Sequence, residues 1–226
     1  MTESPGEGSV DDHECDQSVD GEGHDQPVDG ESDSRSQLAE RRGLEPDVYQ
    51  PAEDSGLLAE AAVDSLSEPG IVLEVGTGSG WVAEQVDAET DARVIGSDLN
   101  PHACRQARER GVEAVRADLL APFADDTFDA VLFNPPYLPT EPDNEWDDWM
   151  EHALSGGEDG RRLIVPFLKD VGRVLAPGGE VYLLVSSLTG YDTVVELAEE
   201  AGFSVDEVVQ ESYPFEVLSI LRLQPV

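Results

Sequence analysis

"IVLEVGTGSGW", residues 71–81, sets the frame for everything around it. Its first five residues, Ile71 to Val75, read as a short buried strand. Glycines at 76, 78 and 80 follow, which lets the backbone turn sharply and approach a ligand closely. A helix opens at about Trp81. A dinucleotide-binding turn would be spaced Gly-x-Gly-x-x-Gly, with its third glycine at position 81, where Trp81 stands instead. Glu74 precedes the loop. A negative charge there suits a ligand bearing an ammonium or sulfonium and is awkward for a pyrophosphate.

Working outward, strands and helices alternate. "PAEDSGLLAEAAVDSL" (51–66) carries Leu57, Leu58, Ala61, Ala62 and Leu66 at helical spacing. After the glycine loop come a strand at 93–98, a helix at 101–110, and strands at 112–118 and 128–133. A helix at about 161–175 leads through "APGG" (176–179) to a strand at 180–187. The pattern closes with a helix at 190–200 and strands at 203–210 and 215–223. Such alternation implies an α/β fold, a doubly wound, mostly parallel sheet with helices on both faces. Ligands of these folds bind outside the carboxyl ends of the strands, where the strand order reverses. The glycine loop and the turn after 128–133 are therefore expected to face one pocket.

Two aspartates describe its contents. Asp98 ends the second strand, where a carboxylate can accept from ribose hydroxyls. Asp118 ends the next, placed to accept from an adenine amino group. With the loop and Glu74 they outline a pocket for an adenosine with a positively charged tail, S-adenosylmethionine. The strand 128–133 runs into "NPPYLPT" (134–140). Asn134, Pro135, Pro136 and Tyr137 form a stiff polar turn ending in an aromatic ring, which suits a planar nitrogen substrate. Adenine, guanine and glutamine all fit that description. "EWDDWMEH" (145–152) offers Trp146 and Trp149 as a lid or as part of a solvated loop.

Five blocks in order, "VYQPAEDSGLL" (48–58), "LEVGTGSG" (73–80), "DLNP" (98–101), "NPPYLPT" (134–140) and "SGGEDGRRLI" (155–164), resemble the HemK-like class I methyltransferases. The chain is most similar to the short archaeal and eukaryotic branch of release factor glutamine methyltransferases. The resemblance implies a seven-stranded Rossmann-like sheet with an antiparallel last strand, spanning residues 38–226. It implies S-adenosylmethionine as cofactor, bound by Ser55, Glu74, Gly76, Gly78, Asp98, Asp118, Leu119 and Asn134. The family more often has Thr where Ser55 stands and Glu where Gln50 stands. The implied activity is N5-methylation of a glutamine in the Gly-Gly-Gln loop of a class 1 translation release factor. Asn134 and Pro135 would hold the amide through its two N–H groups, with Pro136 stiffening the turn and Tyr137 packing on the amide. No general base is evident. The implied partner is a small zinc-binding activator forming a heterodimer at the sheet edge, strand 112–118. Alternatives are an N6-adenine or N2-guanine nucleic-acid methyltransferase and a non-catalytic scaffold of the same fold.

Composition bounds these readings. The 226 residues carry 50 acidic and 13 basic side chains, a net charge of -37, and Lys169 is the only lysine. Acidity spread through a folded domain, with lysine depleted, reads as adaptation to concentrated salt, a halophilic signature. It also weighs against direct nucleic-acid binding, which normally needs a basic face. Residues 1–37 hold 12 of the carboxylates and almost no large apolar residues, with "DQSVDGEG" (16–23) echoed by "DQPVDGES" (25–32). That segment is expected to be a disordered acidic tail, with His13 and His24 solvated in it. Cys15 and Cys104 lack neighbours at metal or redox spacing, so no metal site is expected. No apolar run nears the ~18 residues of a membrane span, and no signal peptide is visible. A cytoplasmic protein is expected.

Overall fold

The computed structural model describes residues 47–66, 70–141 and 148–226. The acidic segment 1–37, with His13, Cys15 and His24, lies outside the described residues, as does Trp146. The element order is α1 (Glu53–Ser65), β1 (Ile71–Val75), α2 (Trp81–Glu89), β2 (Arg93–Asp98), α3 (Pro101–Glu109), β3 (Glu113–Arg116) and β4 (Phe128–Phe133). There follow α4 (Trp149–Leu154), α5 (Ile164–Val174), β5 (Leu175–Ser186), a 3-10 turn (Ser187–Thr189), α6 (Tyr191–Glu200), β6 (Phe203–Ser212) and β7 (Val217–Pro225).

The strands form one seven-stranded sheet in the order β3-β2-β1-β4-β5-β7-β6. Neighbours from β3 through β5 are parallel. The last strand, β7, runs antiparallel to both β5 and β6, as expected. The sheet is apolar on both faces because helices cover both. Val72, Ala130, Leu132, Tyr182, Leu184 and Ile220 pack beneath α1, α2 and α3. Their alternates Leu73, Val75, Val131, Phe133, Val181, Leu183 and Leu221 pack against Phe167, Leu168 and Val171 of α5. This period of two within continuous apolar runs is what a sheet buried on both sides requires.

Strands β1, β2 and β4 coincide with the expected spans, and β3 is the sheet edge. Three differences have local causes. The backbone at Ala52 is extended, so α1 begins at Glu53 and Pro51 lies outside it. Residues Arg161–Leu163 precede α5 because Arg162 N–H donates to the Gly156 carbonyl at 2.8 Å. Strand β5 starts at Leu175, with its register to β4 shifting between Phe128 and Ala130. The short helix α4 arises where a lid or loop was expected, and Asp148 caps it by accepting from Glu151 N at 2.7 Å. No helix among the described residues is long and apolar enough to cross a membrane.

The strand order reverses between β1 and β4. The pairings Val75↔Phe133 and Val75↔Ser97 bring the ends of β1, β2 and β4 to one level. Gly76, Asp98 and Asn134 are therefore neighbours although up to 58 positions separate them in the chain.

Candidate active site

A cavity of about 660 Å³ opens at this level. Ser55, Glu74, Gly76, Gly78, Asp98, Asp118, Leu119, Asn134, Pro135, Pro136 and Tyr137 all line it. The structure thus brings together every site residue expected from the sequence.

The glycine loop folds back on β2. Thr77 N–H donates to the Ser97 carbonyl at 2.8 Å, and Gly78 N–H donates to Asp98 Oδ2 at 2.9 Å. Gly80 has φ +80, and a Cβ there would lie 2.7 Å from Ala107 of α3, so only glycine lets α2 start against α3. Glu74 alternates with Leu73 and Val75 and so points to the α2 side of the sheet. Its Oε2 accepts from Thr77 Oγ1 at 2.5 Å and from Ala83 N–H at 3.1 Å. It is less an open charge at the mouth than a buried carboxyl tying the loop to the first turn of α2. Burial pushes its pKa up to about 8, against the pull of those two bonds.

Asp98 is also raised, by burial first, while Asn100 N–H (2.8 Å) and Gly78 N–H bond its carboxylate. Each of its oxygens keeps a lone pair for a further donor. Asp118 is exposed at the cavity wall, and Leu119 beside it has φ +44, a conformation rare for a branched side chain. Arg173 of α5 holds this loop, donating to the carbonyls of Leu120 (3.1 Å) and Phe123 (2.7 Å) and pairing with Asp125 and Asp170.

The Asn134–Tyr137 turn is braced by a second loop. Leu138 N–H donates to the Leu154 carbonyl (3.0 Å), and Gly156 N–H donates to the Leu138 carbonyl (2.9 Å). Thr140 N–H donates to the Gly157 carbonyl, also at 2.9 Å. "SGGEDGRR" and "NPPYLPT" are therefore two halves of one structure. Gly160 has φ +73, and a Cβ on it would lie 2.5 Å from the Tyr137 carbonyl oxygen. Burial and the carboxylates of Asp54 and Glu216 hold the Tyr137 phenol protonated, above its ordinary range.

The sequence reading did not assign several lining residues. His152 of α4 reaches the cavity beside Trp149, which the sequence offers as a lid, and so do Tyr49 and Asp54 at the start of the described chain. Glu216 comes from the β6–β7 turn, where no motif marks it; Ser186 Oγ donates to its Oε2 at 2.6 Å. Asp54 sits inside the quoted block "VYQPAEDSGLL", yet only Ser55 was singled out there. Both are buried, and Ser55 Oγ donates to Asp54 Oδ1 at 3.2 Å. Asn134 donates through Nδ2 to Asp54 Oδ2 at 2.9 Å, while its Oδ1 is buried with no partner among the described residues. An unmet buried acceptor costs roughly 1–3 kcal/mol, so this atom is held ready for a donor.

Residues 72–155 match the family model described as "Methyltransferase domain". A Methanocaldococcus jannaschii protein assigned as a protein N5-glutamine methyltransferase is 35% identical over 185 residues, covering 79% of this chain and 92% of that one. Human methyltransferase HEMK2 is 31% identical over 80% of this chain and 91% of its own. Among solved structures, the E. cuniculi Mtq2–Trm112 complex, responsible for methylation of the eRF1 translation termination factor, superposes with TM-score 0.67. Identity there is 31%, over 80% of this chain and 99% of that one. The fold, the cavity at the strand reversal and these likenesses agree: the chain belongs to the HemK-like class I methyltransferases, S-adenosylmethionine-dependent enzymes.

Proposed function

We propose that this protein methylates the side-chain nitrogen of a glutamine in a class 1 translation release factor, within its Gly-Gly-Gln loop. The observation that carries the reading is the buried, unpartnered Oδ1 of Asn134, followed by the stiff Pro135–Pro136 turn and Tyr137. A glutamine amide offers two N–H groups in one plane. Asn134 Oδ1 and the Pro135 carbonyl accept one each, and Tyr137 packs on the flat face of the amide. An amide nitrogen is a poor nucleophile because its lone pair is delocalised into the carbonyl. The chain's contribution is to fix the direction of that nitrogen with preorganised acceptors that need no rearrangement.

The lining fits S-adenosylmethionine. Asp98 and Asp118 supply acceptors for hydroxyl and amino donors, the glycine loop allows close approach, and the buried Glu74 carboxyl fixes that loop from below. Ser55, Glu74, Gly76, Gly78, Asp98, Asp118, Leu119 and Asn134 would hold the cofactor. When bound, it supplies a methyl group on a positively charged sulfur.

Residues 38–226 form the catalytic domain in this reading, and the acidic segment 1–37 is a tail outside it. The partner is a small zinc-binding activator in a heterodimer, seated on β3. Val115 (39% exposed) lies on that edge, and an uncovered edge strand invites pairing. The Mtq2 relative is seen with Trm112, as is a Haloferax volcanii methyltransferase of the same fold (18% identity, TM-score 0.53). The charge of -37 suits a cytoplasm of concentrated salt.

The test is incubation with methyl-labelled S-adenosylmethionine and either release factor or nucleic acid, with and without the activator. Label on the loop glutamine, seen as a methyl-sized mass shift, is expected. Label appearing only in nucleic acid would overturn the reading in favour of an exocyclic-amine methyltransferase. Failure to bind the cofactor would leave the scaffold.

A further inference from the structure

We infer that Asp54 is a positioning residue that sets which end of the Asn134 carboxamide is presented to substrate; the inference rests on the glutamine reading above. A carboxamide has two ends of similar shape and opposite polarity: Oδ1 only accepts, and Nδ2 only donates. A site that must receive two N–H groups works in one orientation and repels its substrate in the other. Nothing within residues 134–137 chooses between them.

Asp54 chooses. It lies in the first turn of α1, 4% exposed, and its carboxylate collects four donors. The Tyr49 hydroxyl spans both oxygens at 3.2 and 3.1 Å. Ser55 contributes its N–H at 2.6 Å and its Oγ at 3.2 Å, both onto Oδ1. The fourth donor is Asn134 Nδ2, at 2.9 Å from Oδ2. A carboxylate is an acceptor without protons to give, so it stabilises Asn134 with the NH₂ end inward and disfavours the flipped form. The consequence is the buried, partnerless Oδ1. Tyr49 in turn holds Asp54, and burial with the Asp54 charge keeps that phenol protonated and able to donate.

The experiment uses the full-length protein with its activator, S-adenosylmethionine and release factor. Asp54→Asn is nearly isosteric, but its own Nδ2 can donate to Asn134 Oδ1 and stabilise the flipped carboxamide. Expected is a kcat roughly 100-fold lower, comparable with losing one preorganised partner of the reacting group, with cofactor affinity and melting temperature close to wild type. A second readout is specific to the flip. Release factor whose loop glutamine is replaced by glutamate presents acceptors in place of N–H groups. Wild type should discriminate strongly against it in binding, and Asp54→Asn should narrow that Gln-to-Glu affinity ratio by about tenfold or more. Tyr49→Phe removes one donor from Asp54 and should lower kcat several-fold, leaving the ratio nearly unchanged.

A wild-type kcat in Asp54→Asn would overturn the inference alone. So would a loss of stability and cofactor binding with the ratio intact, because Asp54 would then be merely structural. If wild type itself leaves the release factor glutamine unmodified, the functional reading fails and the inference falls with it.

Discussion

Asn134 combines a chain-fixed donor with a waiting acceptor, and its replacement is the sharpest single test. Asn134→Ala should lower kcat by roughly 100-fold or more while the fold persists, since among the described residues the side chain bonds only to Asp54. Stopped assays with labelled cofactor, alongside a melting curve, check this. Glu74 makes a different prediction, about pH. Its folded pKa of about 8 lies above the ordinary 4.5, so the folded state keeps a proton that the unfolded chain has shed. The destabilisation is absent below about pH 4.5, grows as pH rises through that window, and is complete above about pH 8. Glu74→Gln should therefore stabilise the cofactor-free protein by ~1 kcal/mol or more at pH 8.5, with little effect near pH 5, in denaturant titrations at the two pH values. Asn134 and Asp98 were legible because contiguous motifs name them at strand ends. Asp54 was not, since its meaning depends on a bond to a residue 80 positions away. Glu216 carries no local signature at all.

At the scale of elements, β1, β2 and β4 were readable to the residue; in β1 and β4 this is because strands buried on both faces leave little room for polar residues. Less visible was that "SGGEDG" braces the Asn134–Tyr137 turn. That role rests on backbone bonds between residues 138–140 and 154–157, which depend on no particular side chain. Two glycines record it. Gly156 has the backbone of Gly160 2.6 Å from where a Cβ would sit, and Gly160 has the Tyr137 carbonyl oxygen at 2.5 Å. Gly160→Ala should cost ~1–3 kcal/mol through positive φ and the clash. It should also reduce activity more than stability alone explains, because the displaced atom belongs to the Asn134–Tyr137 turn. Comparing kcat at a temperature where the variant is fully folded separates the two effects.

For the molecule as a whole, 50 acidic against 13 basic side chains make self-repulsion the dominant long-range force at low ionic strength. Raising KCl from about 0.1 M to about 2 M shortens the Debye length from roughly 10 Å to under 3 Å. The melting temperature should rise by ~10 °C or more over that range, which scanning calorimetry measures; a flat response would remove the salt-adaptation reading. Topology adds a constraint on how the protein is made. Strand β7 follows β6 in the chain but lies between β5 and β6 in the sheet. Until residues 217–225 exist, β6 has nothing to pair with, and one side of β5 is bare. The turn that carries Glu216 into the cavity is pinned by Tyr213 N–H on the Glu216 carbonyl and by the same two strands. On the ribosome, where chains fold as they emerge, the cavity wall and the covering of that raw sheet edge are completed together by one late hairpin. A chain in which this hairpin has not formed thus lacks both one wall of its cavity and the cover of its sheet edge.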